Sequence, residues 1–440
     1  MSEHPTPADL EAFAAGELEL SRVGLVVLHL LSGCDGCRRQ ILPWFTEEED
    51  VALSEEALAV YDEPVRKAGE AVLLHGTRAL EQTRKVRKVL ARLTDSGVPS
   101  APVLRYGRYP VYEALLARSW QLRHDNPAEM VRHAWGACRI AAGMESDFPT
   151  EQVMDLRARA EGEYGNALRV ADRLDEAETH LRLAFQLAAL GTGNPVLELR
   201  LQDLKASLLG TRHRYAEAIK VLDRIHAAQL SQGDRHGAGR ALITKGIYVG
   251  LTGDSESALT LLEQGSAMLD SGREPELVRQ ALHNRLEFTV RAERFEAAVD
   301  LLEAHLGLLA SGGRLDRCKL LGLKGLICIG LGASERAEQY FRVAKRGFLE
   351  LQVYGHAALM SLDLATVLLR QGKASEARQS ATEALQVFTQ LSLSDTQLEA
   401  LLVLKNALSA ELLSVGLLQG LADFLRRAEH DPAARYEPRF

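Results

Sequence analysis

The sequence predicts an all-α chain, a small metal-stapled helical bundle followed by an α-solenoid of about six to eight helix pairs. Three observations carry that expectation. Ala and Leu dominate while aromatic residues are only 5%, which favours helices over strands. Small and apolar residues recur at intervals near 40 over most of the chain. Two His and two Cys stand near the N-terminus, in a stretch too short to bury a core of its own.

At 440 residues, 46% hydrophobic and 25% charged, the chain has a globular composition and enough length for two or more units. Disorder as the main state and a disulfide scaffold are both excluded. A net charge of −8 argues against a protein that coats nucleic acid. Five cysteines point to a reducing compartment. The first residues carry Asp9, Glu11, Glu17 and Glu19 instead of a basic and then apolar signal peptide. The longest apolar run, Leu25 to Leu31, is interrupted by His29 and falls far short of the ~20 residues of a membrane span. A cytoplasmic chain without a membrane partner is expected.

Residues 1–45 hold His4, His29, Cys34 and Cys37. Cys34-Asp35-Gly36-Cys37 is a C-x2-C, which lets two thiolates bite one ion. His29 ends an apolar helical run from Ser21 to Leu31, Ser32-Gly33 turns the chain, and Arg38 to Leu42 begins the next helix. The start of that helix favours thiolate over thiol. Singly, His29 reads as a core histidine, His4 as a loose terminal one, and the cysteines as a redox pair lacking the βαβ context of thioredoxins. Together they make a closed Cys2His2 set, the usual form of structural zinc, with one ion per chain and no open position for catalysis.

These residues resemble the zinc-binding anti-sigma domain, which has an N-terminal His, a second His about 25 residues later, then C-x2-C. Here His4 and His29 are 25 apart, amid His4-Pro5-Thr6-Pro7-Ala8-Asp9-Leu10-Glu11-Ala12-Phe13 and Gly16-Glu17-Leu18. Four residues, Leu30 to Gly33, separate His29 from Cys34, where the family usually has three. The resemblance implies a structural zinc and a sigma factor or similar transcription component as partner.

Residues 46–104 connect. Glu47 to Asp50 is an acidic boundary, and a helix is expected from Glu63 to Leu93 with Arg78, Arg84, Lys85, Arg87, Lys88 and Arg92 on it. The expected reading is a packed helix with a solvated basic face, and nucleic acid is not the expected partner. Ser96 to Pro102 is the linker.

The array spans residues 105–430. A small or apolar residue is followed by Ala twelve later, an apolar residue four after that, and another three further on: Gly165, Ala177, Leu181, Ala184; Ala206, Ala218, Leu222, Ile225; Gly246, Ala258, Leu262, Gly265. Leu286, Ala298, Leu302, His305 fits less well, and Gly325, Ala337, Phe341, Ala344 and Ala365, Ala377, Ala381, Ala384 fit closely. The first members lie 41, 40, 40, 39 and 40 residues apart. Small residues let two helices approach, and Gly253-Asp254, Gly332 and Gly372-Lys373 break the chain between them. One pair cannot bury its apolar face, so pairs must stack. An earlier, degenerate copy is expected over Tyr112 to Ala142, with Ala128 and Trp135 in the matching positions. Helices over Thr396 to Ala410 and Gly420 to Ala428 are expected to cap the end, leaving residues 431–440 as a loose tail.

The pattern resembles the tetratricopeptide repeat (TPR), with a period near 40 in place of the usual ~34. That long form looks like the arrays of bacterial regulators and cargo adaptors. Six residues before each first position stand Arg159, Arg200, Arg240, Gln280 and Lys319, a series that Leu359 breaks. The family's geometry points that position into the groove, where a basic ladder would suit an acidic peptide or a carboxylate terminus. The bland alternative is a set of ordinary exposed helix positions.

Phosphate loops, dinucleotide fingerprints, H-E-x-x-H and G-x-S-x-G are missing from the sequence, so no enzyme is expected. Cys138, Cys318 and Cys328 read as small core residues. The leading functional expectation is a regulatory interaction protein, with an anti-sigma-like zinc module coupled to an array that binds a protein or peptide. The alternative is a scaffold or adaptor of a multi-protein signalling or defence complex, in which the zinc is purely structural.

Overall fold

The computed structural model describes residues 4–14, 18, 22, 26, 29–30, 34–41, 107–123, 126–391, 393–431 and 434–436. The expected basic helix from Glu63 to Leu93 and the linker from Ser96 to Pro102 lie outside the described residues. Among those described, every regular element is a helix. The chain divides into two units, Met1–Leu204 and Lys205–Phe440.

The first unit holds α1 (Pro7–Ala14), α2 (Asp35–Ile41), α3 (Arg108–Gln121), α4 (Pro127–Ala141), α5 (Thr150–Val170) and α6 (Leu174–Ala188). Helix α7 (Pro195–Thr211) runs across the division. The second unit continues with α8 (Tyr215–Ser231), α9 (Arg235–Leu251), α10 (Ser255–Ser266), α11 (Pro275–Arg291) and α12 (Phe295–Ala310). It ends with α13 (Arg314–Gly330), α14 (Ser334–Glu350), α15 (Tyr354–Arg370), α16 (Ala374–Phe388), α17 (Asp395–Ser409) and α18 (Val415–Ala428). From α3 onward these form eight consecutive helix pairs, the TPR-like solenoid that the repeat period predicts. None of the described helices is long and apolar enough to cross a membrane.

Local sequence starts several helices. The Asn126 side chain accepts the Glu129 N–H at 3.1 Å, with Pro127 in the first turn. Asp234 and Asp254 accept from Gly237 and Ser257, each at 3.0 Å. Ser394 and Gln397 cap α17 reciprocally. Each contact satisfies a first-turn N–H that has no partner within its helix.

The repeat positions are the core. Ala177, Ala218, Ala258, Ala298, Ala337 and Ala377 are all buried. A Cβ at Gly165 would sit 3.0 Å from the Ala177 carbonyl oxygen, and one at Gly325 would collide with the Phe341 ring. The small residue is therefore what allows the two helices of a pair to touch. The copy that fits the pattern worst is also irregular in structure: His305 is exposed, with φ −127° and ψ 17° inside α12. In the degenerate first copy the buried set is Met130, Ala134 and Ala137, whereas Ala128 and Trp135 are exposed. That register lies two residues from the expected one. Cys318 and Cys328 are buried as expected, and Cys138 is partly so.

The turn inside each pair from α5/α6 onward contains one left-handed residue. These are Asp172, His213, Gly253, Glu293, Gly332, Gly372 and Glu411, and they repeat the period of the helices. Three are the glycines the sequence marks as breakers. The others carry a Cβ in a region where it crowds the following carbonyl. Gly332→Ala is expected to lower stability by about 1 kcal/mol and Glu293→Gly to raise the melting temperature. Thermal unfolding of the two single variants checks both signs, and equal shifts in one direction would refute the argument.

The end of the array departs from a simple cap. Helix α18 packs on α15 as well as on α17. Its Leu417, Leu418, Leu421, Phe424 and Leu425 share one core with α15 and α16. Covered on this further side, α15 is buried without a break from Ala357 to Leu368. Arg426 of α18 reaches down to Asp363 of α15, whose carboxylate is buried.

Candidate metal centre

The N-terminal module has a core of Leu10, Val26, Cys37 and Ile41, with Phe13, Ala14, Leu18, Leu30 and Cys34 partly buried against it. This is little apolar surface for an independent bundle. Polar contacts fix the start of α1. The Thr6 N–H donates to Asp9 Oδ2 at 3.0 Å, and the Asp9 N–H donates to Thr6 Oγ1 at 3.2 Å. Arg22 pairs with Asp9 at 2.7 Å. The Thr6 hydrogen bonds, with the Arg22 charge adding to them, hold the Asp9 carboxyl below its usual range.

That cap holds the segment before α1, where His4 stands two residues ahead of Thr6. His29 is a buried helical residue, Cys34 precedes α2, and Cys37 sits in its first turn. Their one-per-residue ligand atoms all lie within 4.8 Å of one another. His4 Nδ1 is 3.7 Å from Cys34 Sγ and 3.5 Å from Cys37 Sγ. The rings of His4 and His29 meet edge to face at 4.7 Å. A tetrahedral ion with bonds of about 2.0 to 2.3 Å sets its ligands roughly 3.3 to 3.8 Å apart, so the group is sized to hold a metal ion.

The electrostatics point the same way. Burial pushes the Cys37 thiol upward, and the neighbouring Cys34 adds to the shift. Burial, with the His4 charge second, pushes His29 downward. His29 is thus favoured as the neutral imidazole that binds a metal, and the buried Cys37 thiol is one whose ionisation a metal's positive charge would promote.

The five ladder positions lie on successive first helices of pairs. Arg159 of α5 holds Glu113 of α3 through two bonds, at 2.6 and 3.1 Å. Arg200 of α7 holds Glu163 of α5 at 2.7 and 3.1 Å and Asp203 at 3.0 Å. Its guanidinium also stands 5.3 Å over the Trp120 ring. Arg240 donates to Glu274 at 3.1 Å, and Gln280 to Glu276 one turn earlier on α11. Lys319 lines a cavity in the second unit. The reading from spacing alone missed the carboxylates. Glu113, Glu163 and Glu274 each stand on another helix or turn, so for them the signal is pairing in space and not periodicity, whereas Asp203 and Glu276 are neighbours on the same helix.

The fold and cluster define a class: an all-helical repeat chain with a His2Cys2 group at its N-terminus. No protein-family model matches the chain, and no curated protein does. Among solved structures it is similar to the apo form of RapI, at 13% identity over 63% of this chain and 97% of that one, TM-score 0.48. It is similar to aspartyl phosphate phosphatase F from Bacillus subtilis, at 14% over 89% and 97%, TM-score 0.48. A Rap protein complexed with Competence and Sporulation Factor gives 15% over 72% and 91%, TM-score 0.47. Overlap at this level assigns no ligand or activity to this chain.

Proposed function

We propose that the chain is a non-enzymatic regulatory interaction protein in which a zinc-stapled, anti-sigma-like module is joined to a repeat array that receives a protein or peptide. The observation that carries this reading is the convergence of His4, His29, Cys34 and Cys37 within 4.8 Å. Two thiolates and two imidazoles, with no fifth donor in the group among the described residues, suit structural zinc and leave no place for a reacting water. The staple supplies stability that the small core does not. A sigma factor is the partner that the resemblance supplies. Affinity capture of the full chain followed by mass spectrometry tests it, and recovery of other proteins without a sigma subunit would overturn that part.

In the array, Arg159 and Arg200 of the first unit, and Arg240, Gln280 and Lys319 of the second, are the positions that receive an acidic segment or a carboxylate terminus. Such a partner exchanges its carboxylates for Glu113, Glu163 and Glu274. Each charge-assisted contact contributes about 1.5–3 kcal/mol, so Arg200→Ala with Arg240→Ala should weaken partner binding at least about tenfold. Unchanged binding would sink the ladder. The ion pairs themselves favour a second reading, a scaffold of a signalling or defence complex in which the ladder ties neighbouring helices. On that reading the double variant loses thermal stability and keeps its partner.

A further inference from the structure

The second unit contains a cavity of about 340 Å³ walled by α9, α11, α13, α14, α15 and the C-terminal end of α18. One part of its wall is apolar, formed by Ile247, Leu251, Phe288, Leu323, Leu326 and Met360. The rest is polar and titratable. Arg291 is held by Glu287 at 2.6 Å, and Arg426 is held by Asp363 and Asp423. Lys319, half-buried on α13, forms no side-chain ion pair or hydrogen bond among the described residues. Three imidazoles complete the wall: His283 on α11, His356 on α15 and His430 just beyond α18.

We infer that this cavity is a binding site for a single carboxylate borne on an apolar body, with Lys319 as its counter-ion and the apolar wall receiving the body. The ligand is either a free carboxylic acid or the carboxyl terminus of a short peptide. The inference is independent of the metal module and shares only Lys319 with the groove reading. One uncommitted ammonium suits one negative charge. A phosphate group would call for a free guanidinium fork or several cations, and both guanidiniums here are engaged. The volume falls in the range of small-ligand sites, about 300–1,000 Å³, where a few polar groups orient a mainly apolar body.

The imidazoles add a proton linkage. Burial pushes His283, His356 and His430 each below the usual histidine value. His283 faces Glu287 and Asp316, which favour its charge, against Lys319 and Arg279. His356 faces Glu429 and Glu287 against Lys319 and Arg426. His430 faces Glu429 and Glu287 against Arg291 and His213. Two carboxylates line the wall against an incoming anion: Glu287, which is paired with Arg291, and Glu429, which is exposed and screened by water. A bound carboxylate raises these imidazoles back toward their ordinary value, so binding takes up protons and tightens as pH falls.

Calorimetric titration of the full chain tests the site with N-acetylphenylalanine and an acetylated alanyl-alanyl-phenylalanine peptide, each as free acid and as amide. At least one free acid should bind, with affinity higher at about pH 6 than at about pH 8, the direction that uptake of protons by the imidazoles requires. Its amide should bind at least about tenfold more weakly, and Lys319→Met should cost about as much. Lys319→Arg should retain binding, which separates loss of charge from loss of fold. Arg200→Ala with Arg240→Ala should leave it unchanged, so failure of the groove ladder does not count against the cavity. Binding of the small acid identifies a free acid as the source, and binding of the peptide alone identifies a peptide terminus. No binding of either acid, equal binding of acid and amide, or full affinity in Lys319→Met would each overturn the assignment.

Discussion

Replacing Cys34 and Cys37 together by Ser should remove about one equivalent of zinc per chain and unfold the N-terminal module. The expected effect is large because, among the described residues, the module's core has only four buried side chains, one of them the ligand Cys37. Structural zinc in small modules contributes apparent binding free energies of about 10–16 kcal/mol near neutral pH, and where no site preforms this energy is folding energy. Elemental analysis of untagged protein reads the metal, and limited proteolysis reads the fold, with new cleavage expected between His4 and Ile41. Cys138→Ser is the control and should keep the metal, because Cys138 packs among α3–α5 residues. Zinc should also leave on acidification, since protons compete for both thiolates and both imidazoles. Full zinc retention in the double Ser variant would sink the ligand assignment.

Arg426→Met should destabilise the second unit by about 3–5 kcal/mol, because it leaves the Asp363 carboxylate buried and unpaired. Asp363 is 4% exposed, and the guanidinium of Arg426 reaches it from α18. Burial pushes the Asp363 carboxyl above its usual range, and Arg426 pulls it back only in part. A raised folded-state value means stability is greatest where the group is protonated and is lost as pH rises through that value. Removing Arg426 strengthens the rise, so the deficit of the variant should be largest near neutrality and shrink on acidification. Asp363→Leu combined with Arg426→Met, which replaces both partners by apolar groups, should recover most of the loss. Urea unfolding at two pH values measures all three quantities. A deficit that is independent of pH would mean the arginine acts through packing alone.

The repeat period is the part of this fold most legible in the sequence. Ala177, Ala218, Ala258, Ala337 and Ala377 are spaced as they are because a helix pair closes only where a small residue lets two backbones approach, and that requirement recurs once per repeat. Even the misfit at His305 is readable, as an irregular turn in α12. The His2Cys2 group was legible from spacing too: one close C-x2-C pair stands shortly after His29, and 25 residues separate His29 from His4. The first copy was misread by two residues because one short degenerate repeat supplies too few positions to fix its register.

What the tertiary structure alone decided involves contacts without a period. The carboxylates Glu113, Glu163 and Glu274 engage the ladder from neighbouring helices or turns, and nothing in linear spacing pairs Arg159 with a residue 46 positions away. The place of α18 is another case. An amphipathic helix at the end of a solenoid reads as a cap in sequence, yet it also lies on α15, where Arg426 answers Asp363. The cavity around Lys319 follows from that placement, since its wall gathers residues from six helices. Sequence fixes local periodicity because each repeat solves the same packing problem. Charge pairing and cavities depend on which faces the stacked helices turn toward one another, a property of the assembled chain.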